Sequence, residues 1–100
     1  TSTQRHPSVP DVPTMIEAGM EGFEARNWIA LFAPTGMSAD AINLLNAEIN
    51  RIVQTPGMRD RFAAVGAEPL AGTPRQWATY VRDEVAKWTK VVKAAGIRLE

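Results

Sequence analysis

The stretch FEARNWIALFA, residues 23–33, constrains the fold more than any other part of this sequence. In its first half, apolar residues alternate with charged ones, and its second half, WIALF, is apolar on both faces. Such alternation predicts a β-strand that enters a sheet covered on both sides. A strand needs neighbours, yet only AEPL at residues 67–70 offers a second, short strand. The sequence therefore predicts a sheet that is missing most of its strands.

The preceding segment PDVPTMIEAG, residues 10–19, is unusually rich in residues that fix the backbone. Its two prolines hold the chain extended. Thr14 is a candidate N-cap, and Glu17 is placed to complete a reciprocal capping box. Gly19 is able to close the turn in the left-handed conformation. The segment therefore predicts a rigid extended entry, one short capped helical turn and a sharp exit.

Three amphipathic helices are predicted after the strand, because apolar residues recur there at spacings of three and four. Their expected limits are Ser38 or Asp40 to about Gln54, Thr55 and Pro56 to Gly66, and Thr73 and Pro74 to Gly96, with Gln76 completing a capping box. The positions expected to face a core are Ile42, Leu45, Ile49, Ile52 and Val53, then Met58, Phe62 and Val65, then Trp77, Val81, Glu84 or Val85, Trp88 and Val92.

Composition excludes several classes of protein. One hundred residues form a single domain or part of one. Eleven Lys plus Arg balance eleven Asp plus Glu, so nucleic acid is not an expected partner. No apolar run approaches the roughly 20 residues that span a bilayer. Cysteine is absent, which removes disulfides and thiolate chemistry. The N-terminal residues of this chain lack the pattern of a signal peptide.

The sequence also lacks the parts of a catalytic or metal site. His6 is the only histidine, so no His-based zinc site or Cys–His pair is available. Neither the GxSxG nucleophile turn nor a glycine-rich phosphate loop occurs. Capping explains Glu17, and solvation explains the nearby Glu21 and Glu24. We therefore expect no enzyme activity, no metal and no cofactor.

Tryptophan and asparagine in the predicted strand are candidates for ligand binding. Trp77 and Trp88 have helical spacing and are expected to pack in a core. Trp28 lies beside Asn27, where the strand changes from half polar to fully apolar. That position allows either a structural role or a role facing a ligand or a hinge.

Four consecutive stretches resemble a known family in order and spacing. They are PDVPTMIEAG, GFEARNWIALFAPTG, LNAEINRIVQTPGMRDRFAAVGAEPLAGTP and VAKWTKVVKAAGI. Together they resemble the C-terminal third of the Bug-type solute-binding receptors, also called TctC-like receptors of tripartite tricarboxylate transporters. The resemblance covers nearly the whole chain, although no single motif is unique to the family.

The resemblance implies an α/β fragment, mostly helical, within a type II periplasmic-binding-protein fold of two lobes. Three main helices, one hinge-crossing strand and one short strand are expected. Residues 1–22 would form a lobe-edge loop with a short capped helix, residues 23–36 the hinge-crossing strand, and residues 37–100 helical cladding of the first lobe. The roughly two hundred residues that precede this segment in family members are missing from this chain.

The resemblance also implies a function. Family receptors are periplasmic, are not enzymes, and close around small di- or tricarboxylates or amino acids, which they present to membrane permease subunits. Asn27 and Trp28 are then expected near the cleft, and Asp11 and Thr14 at the lobe edge, where both are alternatively structural. Without the missing N-terminal portion, exposed apolar surface predicts a homodimer. The alternative function is a stand-alone helical module that binds a protein partner.

Overall fold

A computed structural model describes residues 2–98, which fall into two compact units, one ending at Ala33 and one beginning at Pro34. Three α-helices lie in the second unit: α1 at Ala39–Val53, α2 at Pro56–Ala64 and α3 at Pro74–Ala95. These helices confirm the helical part of the sequence prediction to within two residues at each end. None of them is long and apolar enough to cross a membrane.

The helix ends are where the capping residues predict them. The Ser38 hydroxyl accepts a hydrogen bond of 3.2 Å from the backbone N–H of Ala41, so Ser38 rather than Asp40 is the N-cap of α1. Thr73 and Gln76 form the reciprocal capping box of α3, with bonds of 2.9 and 3.1 Å. Gly96 ends α3 at a φ of 66°, a left-handed conformation that glycine adopts without steric cost.

The start of α2 is weaker. Thr55 precedes Pro56 as predicted, but its side chain makes no capping bond. Instead its hydroxyl donates a 2.7 Å hydrogen bond back to the carbonyl of Ile52, in the last turn of α1. The proline therefore sets this helix start, because its missing N–H needs no partner at the first helical position.

The prediction of two strands is wrong. Among residues 2–98 no segment forms a β-strand, and residues 23–33 and 67–70 are both irregular. The period-two pattern reports which side chains share a face, but a strand exists only when its backbone pairs with a neighbour. Within the part of the chain that the structure describes, residues 23–33 have no neighbouring strand to pair with, so the α/β class fails for this chain.

The apolar side chains do not form a buried core. Within residues 2–98 no hydrophobic residue is buried, and the only buried residues are Thr14 and Glu84. Val65, predicted to face a core, is exposed. The predicted core positions Ile42, Ile49, Val53, Met58, Phe62, Trp77 and Val81 are half-buried. The helical faces were identified correctly, but the described residues do not cover them.

Two asparagines of α1 hold the loop that leads into α3. The side-chain amides of Asn46 and Asn50 donate to the carbonyl of Gly72, at 2.9 and 3.0 Å. The N–H of Gly72 in turn donates to the side-chain oxygen of Asn50, at 3.3 Å. We call this arrangement the amide clamp. It fixes where α3 begins relative to α1 with neutral hydrogen bonds rather than with apolar contact.

Candidate functional site

All four candidate ligand residues lie in the first unit, and Thr14 is the best-defined of them. The Thr14 hydroxyl accepts a 3.1 Å bond from the N–H of Glu17, and the Glu17 carboxylate accepts a 2.7 Å bond from the N–H of Thr14. These two bonds form the predicted capping box. Gly19 follows with a φ of 105°, which gives the predicted sharp exit.

Arg5 adds a contact that no sequence pattern announced. Its Nε donates to both carboxylate oxygens of Glu17, at 2.9 and 3.2 Å, and its Nη1 donates to the carbonyl of Pro10 at 3.1 Å. Arg5 therefore joins the N-terminal loop to the capped turn. We call the contacts among Arg5, Thr14 and Glu17 the ionic lock.

The ionic lock sets the electrostatics of this region. The side-chain hydrogen bond from Arg5 lowers the pKa of Glu17 below its ordinary value of 4.5, and the backbone N–H of Thr14 lowers it further. Both donors favour the charged carboxylate, because a proton on Glu17 would remove an acceptor from each of them. Glu17 is therefore ionised, and its charge is matched by Arg5.

This geometry gives Thr14 a structural role. Its hydroxyl is occupied by the capping bond, and its residue is only 6% exposed. Asp11 is exposed on the same loop. Among the described residues, no side-chain hydrogen bond joins Asp11 to Thr14, so the structure brings the two into one loop without making them one site.

Asn27 and Trp28 lie in the irregular segment that replaces the predicted strand. Asn27 is exposed, and Trp28 is half-buried with its ring centroid 6.5 Å from that of Phe32. Ile29 directly follows them and is 94% exposed. An exposed amide beside an aromatic ring offers both a hydrogen-bond donor and an apolar wall, which is the usual make-up of a small-molecule site.

Other chemistry is not assembled in the described residues. Residues 2–98 contain no cluster of three or more His, Cys, Asp or Glu that could hold a metal ion. The one buried carboxylate, Glu84 on α3, accepts hydrogen bonds from Lys87 and Trp88 at 2.8 and 2.9 Å. Glu84 was considered only as a spacing position in the sequence, because burial of a charge depends on its partners.

Comparison with known proteins decides the family. The profile described as "Tripartite tricarboxylate transporter family receptor" matches residues 1–97. This chain belongs to that family. The resemblance seen in the sequence is confirmed, and so is the expectation that the chain is not an enzyme, because the family is one of solute-binding receptors.

The most similar relatives are longer proteins. Protein BugT of Bordetella pertussis is 39% identical over 99 residues, which cover 99% of this chain and 30% of BugT. A UPF0065 protein from the tcbD-tcbE intergenic region of Pseudomonas sp. strain P51 is 37% identical over 93 residues, which cover 92% of this chain and 28% of that protein. The chain thus spans about 30% of the length of these two relatives.

A solved structure is also similar. R. palustris Rpa4515 with adipate superimposes with a TM-score of 0.79 and 33% sequence identity. The match covers 97% of this chain and 32% of Rpa4515. The backbone of this chain is therefore similar to part of a larger protein that has been seen with a dicarboxylate.

Proposed function

We propose that this chain is the C-terminal part of a periplasmic receptor that captures a small carboxylate for the permease of a tripartite tricarboxylate transporter. The solute is a dicarboxylate, a tricarboxylate or an amino acid. The match of the receptor family to residues 1–97 carries this proposal. The likeness to Rpa4515 with adipate supports a carboxylate as the solute.

In the proposed receptor, the segments of this chain have separate tasks. Residues 1–22 lie at the edge of one lobe, residues 23–36 cross the hinge, and residues 37–100 clad the other lobe. The division between the two compact units at Ala33 and Pro34 supports a change of role close to the end of the hinge segment. Closure of the two lobes around the solute is the mechanism of capture.

Asn27 and Trp28 are the residues of this chain that we propose face the solute. The exposed Asn27 amide is free to donate to a carboxylate oxygen, and the Trp28 ring supplies an apolar wall for the carbon chain. Asp11 and Thr14 were candidates too, but we assign both a structural role. The Thr14 hydroxyl already accepts from Glu17, and the Asp11 carboxylate would repel an anionic solute.

The test uses the full-length receptor encoded by the reading frame that contains this chain. Calorimetric titration with adipate should show binding, and titration with adipamide, which has the same carbon chain but no charge, should not. Asn27→Ala should weaken adipate binding about tenfold or more, the effect of losing a hydrogen bond to a charged group. Asn43→Ala changes an exposed asparagine of α1 and serves as the control. Equal binding of adipate and adipamide would contradict the carboxylate assignment.

Without the rest of the receptor, we propose that the chain self-associates as a homodimer. Large apolar side chains are exposed in both units, among them Ile29, Leu31, Val65 and Val85. Exposed apolar surface of this extent drives association in water. Sedimentation velocity at increasing concentration should show a shift from monomer to dimer, and a single monomeric species up to millimolar concentration would contradict this.

A further inference from the structure

The chain exposes more surface than a self-sufficient protein of its size. Its accessible surface is 8387 Å². Even two separate compact globules of about 33 and 67 residues would together expose only about 6600 Å². The excess of roughly 1700 Å² is about twice the area that each partner contributes to a standard protein–protein interface. An area of this size is typical of an obligate partner.

Part of this excess is a continuous apolar stripe on α3. Val85, Trp88 and Val92 share one face because they follow at spacings of three and four, and Val91 lies beside them. All four side chains are exposed, and Val85 is 60% exposed. We call these four residues the α3 stripe. The opposite face of the helix is polar, with Arg82, Asp83, Lys90 and Lys93 all exposed.

The polar groups next to the α3 stripe are already satisfied from within the helix. The Glu84 carboxylate is 8% exposed at the residue level and accepts from Lys87 Nζ at 2.8 Å and from Trp88 Nε1 at 2.9 Å. The same bonds satisfy the indole N–H of Trp88. Covering the stripe would therefore strand neither a charge nor an indole donor, which removes the usual penalty for burying such groups.

We infer that the α3 stripe is the docking face for the N-terminal portion of the same receptor polypeptide. The inference rests on the proposed function, and the relatives name the occupant. BugT and Rpa4515 hold the matching segment within chains about three times as long, since the match covers 30% and 32% of them. A partner that is part of one polypeptide with α3 is present at all times, as an obligate apolar surface requires.

The test places this chain in the protein it should complete. In a chimera, the chain replaces the segment of BugT that it matches, and the melting temperature is measured by circular dichroism. Val85→Asp should lower the Tm of the chimera by about 5–10 °C, because it places an unpaired charge in an interface. Val85→Thr keeps the shape of the side chain and should lower the Tm by a smaller amount.

The matched control is Ala86→Asp, which introduces the same charge one residue further on, at an exposed position facing away from the stripe. It should cost less than Val85→Asp in the chimera, although aspartate replaces the best helix former there. In the isolated chain, Val85→Asp should leave the helix content unchanged. This difference between the chimera and the isolated chain is specific to docking.

Two results would overturn the inference. One is a chimera in which Val85→Asp costs no more than Ala86→Asp, and the other is a chimera that never unfolds cooperatively. Adipate binding by the chimera is measured separately. The expected stability pattern in a chimera that binds no carboxylate would support docking and would contradict only the proposed function.

Discussion

The two units of this chain are held together by different polar contacts. The first has no helix and depends on the ionic lock, in which Arg5 and Thr14 meet the charged carboxylate of Glu17. The second has three capped helices and depends on the amide clamp, which is neutral. Neither unit contains a buried hydrophobic residue among those described. Directional hydrogen bonds therefore define local geometry here, while the apolar faces await cover.

Removing the amide clamp should have the largest effect on the second unit. Asn50→Ala deletes both bonds between Asn50 and Gly72 and leaves part of the loop unsatisfied. Hydrogen exchange at the Gly72 amide should accelerate roughly 10–100-fold, as expected for a loss of about 1–3 kcal/mol.

The control for this change is Asn43→Ala, which makes the same substitution at an exposed position of α1. Both variants gain the same helix propensity, so the difference between them isolates the clamp. Equal exchange rates at Gly72 in the two variants would show that the clamp does not hold the loop.

The helix caps of the second unit should show an intermediate effect. Thr73→Ala removes the hydroxyl that accepts from the N–H of Gln76. Loss of an N-cap costs about 1 kcal/mol, so exchange at the Gln76 amide should accelerate about fivefold. Thr55→Ala is the comparison, because the Thr55 side chain makes no capping bond, and the amides of the first turn of α2 should be unaffected. Similar effects at both helix starts would contradict the assigned caps.

The ionic lock of the first unit should be the only one of the two that responds to pH. The folded chain lowers the pKa of Glu17 below 4.5, so the unfolded chain binds more protons between these two values. The stabilisation is therefore present above about pH 4.5 and is lost as the pH falls through the lowered pKa. It is small, because Glu17 is exposed to solvent.

This response is followed by the NMR shift of the Thr14 amide, which donates to the Glu17 carboxylate. The amide should titrate below pH 4.5 in the native chain and lose this titration in Glu17→Gln, while Glu21→Gln should leave it unchanged. A Thr14 amide shift that is flat across this range in the native chain would contradict the lock.

Local chemistry made the turns and helix ends predictable. The capping boxes at Thr14 and Thr73 join residues only three apart, so their sequence spacing specifies the contact. The Arg5–Glu17 contact spans twelve residues and the contact from Asn46 to Gly72 spans twenty-six, and no short pattern encodes either. The roles of Asn27 and Trp28 stay a prediction.

Burial and pairing were not predictable, because both depend on surfaces distant in sequence. The alternation in residues 23–33 correctly marked a segment with apolar side chains, but pairing needs a second strand, and the strand prediction failed. The helical stripes were placed on the correct residues, yet Val65 and Val85 are exposed. A sequence pattern indicates which face is apolar, and only the complete set of neighbours decides whether that face is covered.

The central claim is that this chain has no buried apolar core of its own. Scanning calorimetry of the isolated chain tests it directly, at concentrations where sedimentation shows a monomer. A self-contained domain of this length unfolds with a heat-capacity change of about 1.2–1.5 kcal/mol/K, most of it from exposing apolar surface. We predict a broad transition with less than half of that change. A sharp transition with the full heat-capacity change would contradict the claim.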